Sequence, residues 1–182
     1  MRVKSKRGYL IPVFGLLVVL AVTVPAVGDP PAAKNFGAHL DGGQEVPARE
    51  TPAQGQAIFH LNADETAISY QVIVANINNV VASHIHFAAA GTNGSVVAFL
   101  AGPFPPGGGP SNGILGQGTI TAASLVGPLA GFSIADLAVL MRAGMIYVNV
   151  HTNDGVDPTN TGPGDFPGGE IRGQVRPLGP GN

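Results

Sequence analysis

Glycine and proline interrupt this sequence so often that long helices are excluded from most of it. The 182 residues include 27 glycines and 16 prolines. These breakers separate short segments rich in Val, Ile and Phe and do not form a low-complexity tract. Short apolar segments spaced by turn residues are typical of antiparallel β-sandwiches and barrels. The spacing therefore predicts an all-β fold for the greater part of the chain.

Eight segments have the composition and length of β-strands. We expect them to form an antiparallel β-sandwich of the immunoglobulin-like or Greek-key type, because strands at this spacing with turn signals between them suit that architecture. The predicted strands cover residues 36–41, 55–61, 67–75, 83–87, 96–100, 114–121, 145–151 and 170–175. Two breaker-rich connections, residues 102–110 and 153–168, are predicted to be loops.

One segment has the pattern of a helix. Ser133 and Asp136 have the spacing of a capping box, and Leu137, Leu140 and Met141 repeat at helical spacing. A glycine at position 144 suits the C-terminal cap. The sequence therefore predicts one short helix near residues 133–143, lying across one end of the sandwich or over an open sheet edge.

The first residues have the layout of an export signal. Four basic residues precede an apolar run at residues 9–24, which ends in small residues up to Gly28. This is the order of a secretory signal peptide, although an uncleaved membrane anchor is the alternative. The predicted organisation is a signal peptide at 1–28, a linker at 29–34, one domain at 35–177 and a tail at 178–182. The expected location is secreted, periplasmic or on the cell surface.

Charge and cysteine content exclude several classes of function. Four of the nine Lys and Arg residues lie in the signal segment and none of the eleven Asp and Glu residues does, so the remainder carries a formal charge of −6. Such a chain lacks the basic surface that binds nucleic acid or anionic membranes. The chain contains no cysteine. Disulfides, thiolate metal ligands and thiol nucleophiles are therefore all absent.

The residues with the clearest chemical potential are histidines. Side chains alternate along a strand, so His84 and His86 share one face while Ile85 takes the other. In the strand at 145–151, the same alternation places His151 on a polar face, opposite a set of Val and Ile residues. If the two strands are neighbours, the three imidazoles meet.

An all-imidazole set of this kind suits Cu(II) or Zn(II). We predict a metal site of His84, His86 and His151, with Glu170 as a fourth ligand or as an acceptor that orients an imidazole N–H. Arg172 is expected to pair with Glu170 or Asp41. The alternative is that the histidines form a hydrogen-bond network that fixes strand register and binds no metal.

Four segments in order resemble the CHRD domain, named for chordin and also found in exported bacterial proteins. They are residues 40–47 (LDGGQEVP), 84–94 (HIHFAAAGTNG), 147–152 (YVNVHT) and 168–175 (GGEIRGQV). The resemblance covers roughly Asn35 to Pro177. It implies an extracytoplasmic β-sandwich module, and it says little about biochemical function.

Catalytic templates fit this sequence poorly. It contains no Gly-x-Ser-x-Gly elbow, no His-Glu-x-x-His, no Walker loop and no dinucleotide-binding fingerprint. The His-Ile-His segment resembles a copper-ligand segment of copper-zinc superoxide dismutases, but the further histidines and the cysteines of that family are missing. We therefore expect a non-catalytic exported binding module with Cu(II) or Zn(II) as its ligand. The alternative is a metal-free module that binds an extracellular protein or polymer.

Overall fold

The computed structural model describes residues 32–179. The predicted signal peptide at 1–28 lies outside the described residues, as does the end of the predicted tail. Within 32–179, no helix combines the length and the apolar character needed to cross a membrane.

The described residues form nine strands, one α-helix and three short 3-10 turns. The elements are β1 (Asn35–Asp41), β2 (Gln54–Leu61), β3 (Ala67–Asn78), β4 (Val80–Phe87), β5 (Ser95–Ala101), β6 (Pro110–Thr121), α1 (Ile134–Arg142), β7 (Ile146–Thr152), β8 (Ile171–Gln174) and β9 (Arg176–Leu178). All eight predicted strands are present. β9, a three-residue strand that contains a proline, was not predicted, and β6 begins four residues earlier than predicted.

The strands form one antiparallel sheet that curls until it is nearly closed, like a barrel. Their order is β5-β4-β7-β8-β1-β2-β3-β6, and β9 pairs with β1 beside this path. The two end strands, β5 and β6, approach one another, since a Cβ at Gly116 of β6 would lie 2.6 Å from the Leu100 carbonyl oxygen of β5. The Tyr70 hydroxyl of β3, the neighbour of β6, donates to the same carbonyl at 2.8 Å. The predicted antiparallel all-β fold is confirmed.

Alternation of side chains determines which face of the sheet is the core. On β7, Ile146, Val148 and Val150 point inward and are fully buried in the apolar core. The polar residues of the same strand point outward, as the sequence predicts. Tyr147 and Asn149 are nevertheless buried and His151 is partly buried, because the loops at 88–94 and 153–169 fold over this outer face. The fold therefore has an apolar interior and a second, polar buried layer on one outer side.

The predicted helix is confirmed as α1. The Ser133 side chain accepts a hydrogen bond from the Asp136 amide, and the Asp136 carboxylate accepts one from the Ser133 amide, which completes the capping box. Leu137 and Met141 are fully buried. Gly144 follows the helix with φ of +67°, a conformation that favours glycine.

Candidate metal centre

Three histidines meet on the outer face of β4 and β7. These strands are antiparallel neighbours, with His84 opposite Asn149 and His151 opposite Ala82. The ring centroids of His84 and His151 are 4.9 Å apart, those of His86 and His151 are 5.9 Å apart, and those of His84 and His86 are 5.7 Å apart. The sequence-based expectation that the two strands are adjacent, with the imidazoles on one face, is confirmed.

The ring nitrogens approach the spacing of ligands on one ion. One nitrogen from each ring belongs to a set whose members all lie within 4.8 Å of one another. The Nδ1 of His84 and the Nε2 of His151 are 3.2 Å apart. Two nitrogens bound tetrahedrally to Zn²⁺, at bond lengths of about 2.0–2.1 Å, are separated by about 3.3 Å. For the three rings to share an ion, the most widely separated pair of the set must therefore close by about 1.5 Å at most.

Backbone carbonyls determine the tautomers of two of the rings. The Nδ1 of His86 lies 3.0 Å from the Gly94 carbonyl oxygen, and the Nδ1 of His151 lies 2.9 Å from the Pro167 carbonyl oxygen. A carbonyl oxygen only accepts, so both Nδ1 atoms carry a proton. In the neutral rings, each Nε2 then carries a lone pair. A metal-ligating histidine usually donates its other N–H to such an acceptor.

The Nε2 of His86 is the most informative atom of the site. It is buried and has no hydrogen-bond partner among the described residues. Because Nδ1 holds the proton of this ring, Nε2 is a buried acceptor without a donor. Leaving such an atom unsatisfied costs about 1–3 kcal/mol. A cation bound at this nitrogen would remove the cost.

A stack of rings and a guanidinium supports His86. The His86 and Tyr147 rings are parallel to within 13°, with centroids 4.8 Å apart. The guanidinium carbon of Arg172 also lies over the Tyr147 ring, 3.4 Å from its centroid. Cation–π contacts of this kind are strongest where water is excluded, and Arg172 is only 1% exposed. The stack restricts rotation of the His86 ring.

Arg172 also holds the loop that carries the Gly94 carbonyl. Its guanidinium donates to Asn93 Oδ1 at 3.2 Å, to the Ala89 carbonyl at 3.3 Å and to the Thr92 carbonyl at 2.9 Å. The prediction that Arg172 pairs with Glu170 or Asp41 was therefore wrong, since neither pair is among the ion pairs of residues 32–179. The cation is satisfied by loop oxygens because the loop folds directly over it.

Glycine is required where this loop turns back to β4. A Cβ at position 94 would overlap the Phe87 carbonyl oxygen. The absence of a side chain lets the backbone of Gly94 approach the strand closely. Its amide then donates to the Tyr147 hydroxyl at 3.1 Å, while its carbonyl accepts from His86.

Glu170 is not part of the histidine group. One carboxylate oxygen accepts from the Thr51 hydroxyl at 2.5 Å, and the other accepts from the Thr152 hydroxyl at 2.6 Å and the Gly164 amide at 2.8 Å. The set of close ligand atoms found in the described residues contains the three histidines and no carboxylate. Glu170 instead links three segments: the loop before β2, strand β7 and the loop at 153–169. We therefore do not include it among the proposed ligands.

Burial keeps the imidazoles neutral. The pKa of His84 is lowered to about 4, chiefly by burial and also by the neighbouring His151 and His86. Burial also lowers the pKa of His86 and of His151. Neutral rings offer lone pairs to a metal. The site is therefore ready to bind a cation at neutral pH without first releasing protons.

Glu45 is a second buried ionisable group near the stack. It is 6% exposed, and its Oε1 has no hydrogen-bond partner among the described residues. Its Oε2 accepts a long bond of 3.5 Å from the Asn149 amide. Burial raises the pKa of Glu45 to about 7, and this effect outweighs the opposing influence of Arg172, Arg49 and the Val46 amide.

We expect Glu45→Gln to stabilise the protein in alkaline solution and to have little effect in acid. The folded state holds a proton on Glu45 that the unfolded chain releases above about pH 4.5, so the carboxylate destabilises the fold as the pH rises towards 7. Glutamine cannot ionise and has the shape of the protonated acid. Urea unfolding should show a gain of about 1–2 kcal/mol at pH 8 and none at pH 4. Equal stability of the two proteins at both pH values would contradict this.

The histidines should destabilise the fold in acid, whereas Glu45 destabilises it in alkaline solution. The unfolded imidazoles gain protons below about pH 6.5, whereas folded His84 does so only near pH 4. The free energy of unfolding should therefore fall by about 2 kcal/mol or more between pH 6.5 and pH 4. Urea titrations in chelator, in the Glu45→Gln background, isolate this effect. Adding His84→Phe should make the free energy of unfolding depend less on pH between 6.5 and 4. An unchanged pH dependence would argue against a buried neutral cluster.

Fold and site together define a mostly antiparallel β domain with a buried histidine cluster on its outer face. Residues 36–175 match the family model of the CHRD domain. This match covers most of the chain, so the protein belongs to the CHRD domain family, as the four sequence segments indicate. CHRD domains occur in extracellular proteins. A search of curated proteins finds no sequence that matches.

Sequence reasoning found the three histidines and missed what surrounds them. The carbonyls of Gly94 and Pro167 carry no side-chain signal, and their role depends on loop conformation. Glu45 was also missed, although it lies within a segment that carries the family resemblance. Strand alternation puts Tyr147 on the same outward face as His151, and this spacing was the available signal for the ring that stacks on His86.

Proposed function

We propose that this protein is an extracellular, non-catalytic binding module that holds one Cu(II) or Zn(II) ion through His84, His86 and His151. The observation that carries the proposal is the buried Nε2 of His86, which has a lone pair and no donor among the described residues. The ligand atoms would be Nδ1 of His84 and Nε2 of the other two rings. Affinity for divalent metals in such sites rises from Zn²⁺ to Cu²⁺ by the usual order, which favours copper where it is available.

The supporting contacts resemble the outer layer of established metal sites. Two of the three rings donate their second N–H to a backbone carbonyl. This arrangement fixes ring orientation and raises the basicity of the ligating nitrogen. The stack on Tyr147 fixes His86 further. A site prepared in this way loses little side-chain freedom when an ion binds.

A metal-free network is the second candidate, and one contact favours it. The Nδ1 of His84 lies at hydrogen-bonding distance from the Nε2 of His151, 3.2 Å away. If Nδ1 carries the proton, this contact links β4 and β7 without any ion. Such a network satisfies His151 but leaves the Nε2 of His86 unpaired. In this case the protein would act through a surface that binds another extracellular protein or a polymer.

Isothermal titration of the untagged protein with Cu(II) and with Zn(II) separates the two candidates. The metal site predicts one ion per chain, with tighter binding of copper. Competition with a chelator of known affinity should be used if binding is too tight to titrate directly. Heat changes no greater than those of a His84→Phe, His151→Phe double variant would leave the metal-free network as the explanation.

A further inference from the structure

Among the described residues, the histidine cluster supplies three ligands and no fourth. The group of close ligand atoms found within residues 32–179 contains only the three imidazoles. Glu170, the nearest carboxylate in the sequence pattern, is fully engaged by two hydroxyls and an amide. The Asn149 side chain packs against Gly169, and its amide nitrogen donates to Glu45 Oε2 at 3.5 Å. Three protein ligands plus an open position is the arrangement of reactive zinc sites, whereas structural sites are closed by four.

The cluster is accessible from one side. His86 is nearly buried and is closed off by Tyr147. His84 is half-buried, and its ring makes an edge-to-face contact with the Phe99 ring. The two centroids are 4.9 Å apart and the angle between the ring planes is 89°. Phe99 is 57% exposed and lies on β5, the end strand of the sheet. Solvent can therefore reach the cluster past His84 and Phe99.

The charge of a loaded site would be positive. Three neutral imidazoles do not offset a divalent ion, and the Arg172 cation acts on His86 in the same sense. A bound cation is then the largest local charge, and an anion is the favoured partner. Phe99 gives the open side an apolar wall that suits a small ligand with one donor atom.

We infer that the ion bound by His84, His86 and His151 keeps one coordination position on the Phe99 side, and that this position exchanges water for a small monodentate anion. The inference rests on the proposed function. It assigns the site a second ligand class, anions of the size of halide, azide or bicarbonate. No carboxylate of the protein is needed to complete the coordination.

The test is an azide titration of the copper-loaded protein, followed by visible absorption and electron paramagnetic resonance. We expect a new ligand-to-metal absorption band that saturates at one azide per copper, and a change in the copper resonance parameters. If the protein binds copper but azide causes no spectral change at any concentration that leaves the protein folded, the inference of an open position is overturned and the proposed metal site is not. Failure to load copper would overturn the proposed function as well.

A paired variant makes the location of the open position testable. Phe99→Glu places a carboxylate at the open side, where it should occupy the position and weaken azide binding at least tenfold while copper is retained. Ile58→Glu is the matched control, because Ile58 is also an exposed strand residue, on β2. It should leave azide binding unchanged. Equal azide affinity in both variants would contradict the placement beside Phe99, and Phe99→Ala checks that loss of the aromatic ring alone preserves binding.

Discussion

His151→Ala will weaken Cu(II) binding by more than about 100-fold, because it removes one of three ligands and no carboxylate among residues 32–179 lies close enough to replace it. The remaining pair, His84 and His86, lies on a single strand and loses the contact across to β7. The pKa of His84 should also rise towards its usual value, because His151 no longer lowers it. Competition titration against a chelator measures the loss of Cu(II) affinity.

The control for His151→Ala is His39→Ala. His39 lies on β1 with a side chain that is 61% exposed, so the variant removes one imidazole from the surface. It should bind Cu(II) as tightly as the unaltered protein. If both variants lose the same affinity, copper binds to scattered surface imidazoles and the cluster is not the site.

The largest loss of stability is expected for Arg172→Met. The substitution leaves Asn93 Oδ1 and the carbonyls of Ala89 and Thr92 without their donor, and it removes the cation from the Tyr147 ring. Removing one partner from a buried charged network typically costs about 3–5 kcal/mol. Urea unfolding of the metal-free protein should show a loss of this size.

The same variant should weaken metal binding indirectly. Release of the loop at 88–94 frees the Gly94 carbonyl that fixes the His86 tautomer. Outer-layer changes of this type cost about 10–100-fold in metal affinity. Arg172→Lys keeps the positive charge but cannot donate to all three loop oxygens. Its stability and metal affinity should therefore lie between those of the unaltered protein and of Arg172→Met. Arg176→Met, at an exposed arginine on β9, should leave both stability and affinity near their original values. A stable, tightly binding Arg172→Met protein would contradict the supporting role.

The fold follows from the sequence because its signals are local. Turn-forming residues such as Gly, Pro, Asn and Asp lie beside most of the predicted strands, and alternation assigns the inward residues of β7 correctly. The capping box at Ser133 likewise identifies the single helix. β9 was missed because three residues containing Pro177 give no periodic pattern. Its pairing with β1 depends on the chain returning across the sheet, which is a tertiary effect.

The site was predictable only in part, for a similar reason. The His84–His86 pair and the polar face of β7 follow from strand geometry. The partners of Arg172 do not, because attraction between opposite charges suggests a carboxylate, whereas a folded loop supplies three oxygens. Glu170 was predicted as a ligand or as an acceptor for an imidazole N–H because it lies on the polar face of its predicted strand. In the structure its carboxylate instead accepts from Thr51, Thr152 and the Gly164 amide.

The central claim is that three imidazoles converge on one ion, and X-ray absorption at the metal edge tests it most directly. For the protein loaded with one equivalent of Zn(II) or Cu(II), the account predicts three imidazole nitrogens at about 2.0–2.1 Å, with the outer-shell scattering of histidine rings and one further ligand, a water oxygen. The His151→Ala protein, measured in parallel, should lose one ring. A coordination shell dominated by carboxylate or water oxygens, with one imidazole or none, would contradict the account.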